Sequence, residues 1–228
     1  MGETQTRQTL NIRQGVIATG VVIAGMVAAS VWAWDKVPAN LPVHFGLDGT
    51  ADRYGSKWEA LLIMPGAAAL IGLIMAALPA IDPRRNNLAR SGGLYYAAWF
   101  GALAVMGVAH AGLIAAAMGA AVNSGQIAAI AVGGLFVLLG NYMGKSRSNW
   151  FAGFRTPWTL SSDYSWQQTH RVTGWMFILT GVATIMSAIF LGPITAFAAM
   201  SAGTVGTVIL GSYLSYVFWK NDPERGQG

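Results

Sequence analysis

Residues 60–81 read ALLIMPGAAALIGLIMAALPAI, and these 22 residues include no charged side chain. A helix needs about 20 apolar residues to cross the hydrocarbon core of a bilayer, so this stretch is long enough to span a membrane. Inside lipid it must be helical, because backbone groups without hydrogen-bond partners are too costly there. With five similar stretches, the sequence predicts six spans, at 15–34, 60–81, 94–118, 126–143, 172–191 and 194–219.

The composition indicates the same fold class. The chain is 54% hydrophobic and only 10% charged, whereas soluble domains carry about 25% charged residues. The net charge of +5 comes from basic residues in the connecting segments, so we expect it to set membrane orientation and expect no direct contact with nucleic acid. The absence of cysteine excludes disulfide and thiolate chemistry. The sequence therefore predicts an all-α polytopic membrane protein.

The basic residues are distributed unevenly between the two sides of the predicted spans. With a cytoplasmic N-terminus, eleven of the fourteen Lys and Arg residues lie on the cytoplasmic side, as the positive-inside rule requires. Both termini are therefore predicted to be cytoplasmic. The chain then divides into a cytoplasmic N-terminal segment (1–14), a first helical hairpin (15–92) with an extracytoplasmic loop (35–59), a four-helix region (93–220) with a cytoplasmic loop (144–171), and a cytoplasmic tail (221–228).

Loop 35–59 reads DKVPANLPVHFGLDGTADRYGSKWE. Its prolines oppose a regular helix, the alternation over 41–45 predicts a short extended piece, and Asp48-Gly49 is a turn signal. Arg53 stands where a calcium loop of this spacing needs glycine, and His44 has no second histidine nearby, so we predict no metal site. We interpret the loop as an ordered cap over the helices, with contact to an external ligand as the alternative. Its candidate functional residues are Pro42, His44, Phe45 and Gly49.

Loop 144–171 contains NWFAGFRTPWTLSSDYSWQQTHR at 149–171. Pro157 interrupts any helix there, and Ser161, Ser162 and Asp163 are good N-cap residues, so the fifth spanning helix is predicted to begin below the membrane and to enter it near 172. The aromatic and basic residues of 149–160 are expected to lie at the headgroup level. The loop is therefore predicted to be interfacial.

Two groups of polar residues invite a chemical interpretation. Ser161 or Ser162 could form a nucleophile triad with His170 and Asp163, but no GxSxG motif is present, and we predict no catalytic residue. Arg155 and Arg171 could hold an anion or anchor the loop to lipid headgroups. His110 is an ionisable residue deep in a predicted span, which makes it a functional candidate, with a hydrogen bond between helices as the structural alternative.

Loop 144–171 also resembles the signature of the SdpI family of bacterial immunity membrane proteins, roughly N-x3-G-[IVF]-R-T-P-W-T-L-x-S followed by W-x2-[TA]-[HN]-R-x2-G. Residues 41–46, LPVHFG, and Gly49 are similar to a bacterial domain of unknown function that often precedes this signature. Together the two resemblances cover about 15 to 220. The signature residues are Asn149, Gly153, Arg155, Thr156, Pro157, Trp158, Thr159, Leu160, Ser161, Trp166, Thr169, His170, Arg171 and Gly174.

The resemblance implies a six-pass protein of the bacterial inner membrane and brings no established catalytic residues. We predict no cofactor. The family's namesake protects its producer against a secreted peptide toxin that attacks membranes, and it holds a soluble transcriptional repressor at the membrane. The expected partners are therefore the lipid bilayer, a peptide toxin and a repressor. Two alternatives stay open: a small-molecule or lipid transporter, and an interfacial membrane enzyme that uses His170 and Arg155.

Overall fold

The computed structural model describes residues 10–46 and 50–225. Six of its helices are long and apolar enough to cross a membrane, so the predicted number of spans is confirmed. The elements in chain order are α1 (Ile12–Ala33), β1 (Asn40–Phe45), β2 (Ala51–Ser56), α2 (Lys57–Ile81), α3 (Arg85–Arg90), α4 (Gly92–Ala117), α5 (Ser124–Met143), α6 (Pro157–Ser161), α7 (Asp163–Phe190) and α8 (Pro193–Lys220).

The spanning helices pack as two groups that meet at α4 and α5. The N-terminal half consists of α1, α2 and α4, which all contact one another, and the C-terminal half consists of α5, α7 and α8. Because six spans alternate in direction, both ends of the described chain and loop 144–171 lie on one face, which we call the terminal face. The β strands lie on the opposite face.

The N-terminal half surrounds one large aromatic side chain. Trp99 of α4 is fully buried and packs with Tyr95, Leu103 and Met26. Its indole Nε1 donates to Thr19 Oγ1 of α1 at 3.0 Å. This bond gives the one polar atom of the indole a partner where water is absent, as a buried tryptophan requires.

Two prolines inside α2 each leave one backbone carbonyl without its helical donor, and side chains of neighbouring helices donate to these carbonyls. A proline has no backbone N–H, so it leaves the carbonyl four residues earlier without its helical partner. Pro65 thereby frees the carbonyl of Leu61, which accepts from Ser30 Oγ of α1 at 2.9 Å. Pro79 frees the carbonyl of Met75, which accepts from the hydroxyl of Tyr95 in α4. The prolines thus fix which residues of α1 and α4 face α2.

The C-terminal half is packed through glycines. A Cβ added at Gly174 of α7 would lie 2.8 Å from the carbonyl oxygen of Gly140 in α5, and one added at Gly133 would lie 2.9 Å from the carbonyl oxygen of Gly181. Real Cβ atoms do not come so close to backbone oxygen, so α5 and α7 approach one another only where side chains are missing. Small residues serve the same purpose in membrane helices generally.

Loop 35–59 forms an antiparallel hairpin of β1 and β2, the only sheet in the part of the chain that the structure describes. Strand β1 covers the extended piece predicted at 41–45, and its Leu41 is fully buried against Ala33, Leu61 and Leu113. Strand β2 was not predicted, because 51–56 has no alternating apolar residues to indicate it. The hairpin therefore caps the bundle, while the predicted turn residue Gly49 lies outside the described residues.

Candidate functional site

The side chain of His170 is fully buried inside loop 144–171, at the second turn of α7. Its Nδ1 lies 2.8 Å from the carbonyl oxygen of Trp166, and its Nε2 lies 2.7 Å from the backbone nitrogen of Phe154. Because a carbonyl only accepts and an amide only donates, Nδ1 carries the proton and Nε2 accepts. Both ring nitrogens are therefore occupied in a neutral imidazole.

Gly153 fits against this histidine because it has no side chain. Its φ of 127° is in a region that glycine adopts readily and other residues rarely do. An added Cβ would overlap the ring of His170 and lie 3.2 Å from Trp166. The rings of Trp166 and His170 stack at a centroid distance of 4.0 Å. Gly153, Trp166 and His170 thus form one packed unit, which explains their spacing in the signature.

Asn149 folds the start of the loop through its amide side chain. Its Oδ1 accepts from the backbone N–H groups of Phe151 and Ala152 at 3.0 and 2.7 Å, and its Nδ2 donates to the carbonyls of Arg147 and Ala152 at 2.8 and 3.0 Å. The side chain is fully buried. Both polar atoms of its amide are used within the loop, so the geometry gives this residue an architectural task.

The TPWT segment builds a helical turn and attaches it to α8. Thr156 and Thr159 form a reciprocal capping box, with Pro157 at the first helical position of α6. Thr156 Oγ1 also donates to Ser215 Oγ of α8 at 3.0 Å, and Trp158 meets Tyr216 edge-on at 5.4 Å. These contacts join the loop to the last spanning helix.

Ser161 and Ser162 form hydrogen bonds with groups other than His170. Ser162 caps α7 by accepting from the N–H of Ser165 at 2.9 Å, and it donates to Asp222 Oδ2 at 2.5 Å. Ser161 donates to the carbonyl of Trp158 at 3.2 Å. Since the hydrogen-bond partners of His170 are backbone groups, the structure does not bring the imagined Ser–His–Asp triad together.

The two candidate arginines differ in their surroundings. Arg155 Nη1 donates to the carbonyl of Trp150 at 2.6 Å, while its side chain stays exposed. Arg171 is exposed, and the described residues offer its side chain no hydrogen bond or ion pair. A hydrogen bond within the loop therefore positions the side chain of Arg155, whereas no such bond positions the exposed side chain of Arg171 among the described residues.

The connector from α2 to α4, residues 82–91, is a partner of the loop that the sequence did not reveal. Arg84 donates to Ser148 Oγ and, at 3.0 Å, to the carbonyl of Leu160. Asn87 donates to the carbonyl of Ser148 at 2.8 Å, and Ser91 Oγ accepts from the N–H of Arg147 at 2.8 Å. The basic residues of this connector indicate membrane orientation and do not by themselves indicate a contact with the loop. Its run of polar residues opposite loop 144–171, IDPRRNNLARS, is the signal that could have indicated docking.

His110 lies in α4 where α1 and α2 meet it. Its Nε2 lies 3.0 Å from Ser30 Oγ and 3.2 Å from the carbonyl oxygen of Met26. Ser30 Oγ shares its one hydrogen between the carbonyls of Met26 and Leu61, each at 2.9 Å, so His110 completes a polar contact that joins three helices. Its Nδ1 is buried and has no hydrogen-bond partner among the described residues. This geometry matches the structural alternative of a hydrogen bond between helices.

Of the described candidates in loop 35–59, His44 is exposed, whereas Pro42 and Phe45 are half-buried. His44 Nδ1 lies 2.6 Å from Asp52 Oδ1, and both side chains are at least half exposed. Pro42 pairs with Tyr54 across the hairpin, and Phe45 lines a cavity of about 240 Å³ with the first turns of α5 and α8. Among residues 10–46 and 50–225, no three His, Asp or Glu side chains are grouped so that they could hold a metal ion.

Two separate regions of the chain match models of known protein families or domains. Residues 145–218 match the model of the SdpI/YfhL protein family, and residues 21–69 match the model of a domain of unknown function, DUF1648. The chain is also similar to the immunity protein SdpI of Bacillus subtilis (strain 168), with 21% identity over 172 residues, which is 75% of this chain and 80% of that protein. No solved structure matches. The resemblance of its loops is thus confirmed: this chain is a six-helix membrane protein that carries an SdpI/YfhL region behind a DUF1648 region.

Proposed function

We propose that this protein gives its cell immunity to a membrane-active peptide toxin, and that it does so without catalysing a reaction. The observation that carries the proposal is the similarity to an immunity protein over 172 residues, which extends well beyond the signature loop. The occupied nitrogens of His170 support a non-enzymatic role, because a general base must reach its substrate's proton. The same hydrogen bonds argue against the alternative function, an interfacial enzyme that uses His170.

In this proposal the β hairpin is the part that meets the toxin. The side chain of Tyr54 in β2 is 62% exposed, and that of Trp58, at the start of α2, is 66% exposed. The His44–Asp52 pair across the hairpin is exposed as well. The excess of basic residues on the terminal face favours a cytoplasmic location for that face. The hairpin would then face outward, where a secreted toxin arrives.

Expression in a toxin-sensitive host tests the immunity proposal. We expect cells with the protein to survive toxin that kills cells with an empty vector. A Tyr54→Ala/His44→Ala double variant should protect less at equal membrane abundance, while Arg171→Ala, which changes an exposed residue on the opposite face, should protect fully. Equal killing with and without the wild-type protein would refute immunity, and full protection by the double variant would refute only the role of the hairpin.

The orientation can be tested without background because the chain contains no cysteine. A membrane-impermeant maleimide applied to intact cells should label Tyr54→Cys and should leave Ser161→Cys unlabelled until the cells are permeabilised. The reverse pattern would place the terminal face outside the cell and would contradict the proposed site of toxin contact.

We further propose that the terminal face signals to a soluble transcriptional repressor. A polar cavity of about 530 Å³ on this face is lined by charged side chains of both signs, including Arg84, Asp163, Asp222 and Glu224. Such a surface suits a soluble partner better than it suits lipid tails. Transcript profiles after toxin exposure should then differ between cells with wild-type protein and cells with Asp163→Ala/Glu224→Ala, and identical profiles would oppose signalling through this cavity.

A further inference from the structure

An apolar cavity of about 250 Å³ lies between the two halves, directly under loop 144–171. Its walls include Met75 and Leu78 of α2, Ala98 of α4 and Leu139 of α5, and residues 151–154 of the loop close one end. Met75, Leu78, Ala98 and Leu139 are only half-buried. The cavity is thus a recess in the wall of the protein at the level where the spans leave the membrane.

The recess faces lipid because its two sides belong to different halves. Helices α2 and α5 both pack on α4, and they share no extensive contact with each other. A gap between two spanning helices with a third helix as its floor opens to the hydrocarbon of the bilayer. The recess is therefore continuous with the lipid that surrounds the protein.

The chemistry of the recess suits a hydrocarbon chain. Among its lining side chains, Tyr95 carries the one hydroxyl, and this hydroxyl is already donated to the carbonyl of Met75. No lining side chain is charged. Apolar recesses without free polar groups do not hold water well, so an acyl chain is a better occupant than a polar molecule.

The positively charged side chain of Arg155 lies at the loop end of the recess. Arg155 donates to the carbonyl of Trp150, the residue just before Phe151, which lines the recess. One of its five N–H donors makes this bond, and the side chain is exposed, so other donors face outward. Guanidinium groups bind phosphate through two parallel hydrogen bonds. Trp150 is itself 46% exposed, and tryptophan favours the headgroup level.

The charge of the whole face fits the same occupant. The described residues of the terminal face include ten Lys or Arg side chains and four Asp or Glu side chains. One of the acidic groups, Asp82, is buried and accepts from the backbone N–H groups of Arg84 and Trp150, at 2.7 and 3.4 Å. A positive face of this kind attracts anionic lipids.

We propose that the recess and Arg155 form a binding site for an anionic phospholipid, with one acyl chain in the recess and the phosphate at the guanidinium of Arg155. The bound lipid would fill the gap between α2 and α5 and so join the two halves. This proposal does not depend on toxin immunity.

Native mass spectrometry of the full-length purified protein tests the site. Phosphatidylglycerol and phosphatidylcholine with identical acyl chains are titrated in separate experiments. We expect wild-type protein to bind one phosphatidylglycerol at least fivefold more tightly than phosphatidylcholine. Arg155→Ala should reduce the affinity for phosphatidylglycerol to that for phosphatidylcholine, whereas Arg171→Ala, the matched exposed arginine, should keep the preference.

Ala98→Leu adds side-chain volume inside the recess and should lower the affinity for both lipids. The comparison applies if the melting point of this variant stays near that of the wild type. If this variant does not fold, the Arg155→Ala and Arg171→Ala pair still decides the question. Equal binding of the two lipids by wild-type protein, or an unchanged preference in Arg155→Ala, would overturn the site and leave only non-selective boundary lipid. Displacement of the lipid by glycerol phosphate, which has no acyl chain, would indicate a soluble-anion site and would also overturn it.

Discussion

The two halves of this protein differ in how their helices are joined inside the bundle. In the N-terminal half, Pro65 and Pro79 free carbonyls of α2, and side chains of α1 and α4 bond to them. In the C-terminal half, the hydroxyls of Thr173 and Thr184 each donate to the carbonyl four residues earlier in their own helix at 2.8 Å. The first half is therefore joined by hydrogen bonds between the middles of its helices. The second half relies on close backbone packing and has bonds between helices nearer their ends, from Gln126 to the carbonyl of Ala188 and from Ser165 to the carbonyl of Ser215.

Loop 144–171 belongs to the second half and should be its most sensitive part. His170→Ala would remove two hydrogen bonds, leave the N–H of Phe154 unpaired and open a cavity beside Trp166. We expect the free energy of unfolding to fall by about 3–4 kcal/mol, which thermal unfolding in detergent would measure. Arg171→Ala is the control and should change it by less than about 0.5 kcal/mol. A loss from His170→Ala no larger than the loss from this control would contradict an architectural role.

The glycine contacts give the next largest effect. Gly174→Ala places a Cβ 2.8 Å from the carbonyl oxygen of Gly140 and should force α5 and α7 apart. We expect a loss of about 2–3 kcal/mol in thermal unfolding experiments. Gly134→Ala, on α5 where an added Cβ meets nothing within 4 Å, should be neutral or stabilising. Equal melting points for the two variants would mean that close packing does not hold this half together.

A double-mutant cycle isolates the proline-dependent bond of the first half. Ser30→Ala should cost about 1–2 kcal/mol, because the carbonyl of Leu61 loses its donor. In a Pro65→Ala background the alanine supplies the missing backbone N–H, so the cost of Ser30→Ala should fall by at least half. The bond from His110 to Ser30 is lost in both backgrounds and cancels in the cycle. The same cost in both backgrounds would show that the proline is irrelevant to this contact.

Thr184→Val should have the smallest effect. Thr184 is fully buried, but its hydroxyl serves only a carbonyl of its own helix, and valine has nearly the same shape. We expect a change within about 0.5 kcal/mol by thermal unfolding. A loss of unfolding free energy as large as that from Ser30→Ala would show that the two halves do not differ in this respect.

The sequence was informative where one local property decides the structure. The six spans follow from apolar length alone, and the start of α7 at Asp163 follows from capping residues such as Ser162. The polar run of residues 82–91 could have indicated a docking segment, but its partner could not be predicted, because Arg84 and Leu160 are far apart in the chain and no periodicity connects them. For the same reason His170 was an open candidate, since its partner Phe154 is recognisable only when the loop is folded.

The prolines of α2 also bear on how the chain is assembled in the membrane. A newly made α2 that entered lipid alone would expose two carbonyls that its own backbone cannot satisfy, at Leu61 and Met75. One donor, Ser30, is synthesised earlier, and the other, Tyr95, is synthesised later. The bond to the carbonyl of Met75 therefore forms only after α4 has been made, so we expect this span to reach its full stability together with its two neighbours.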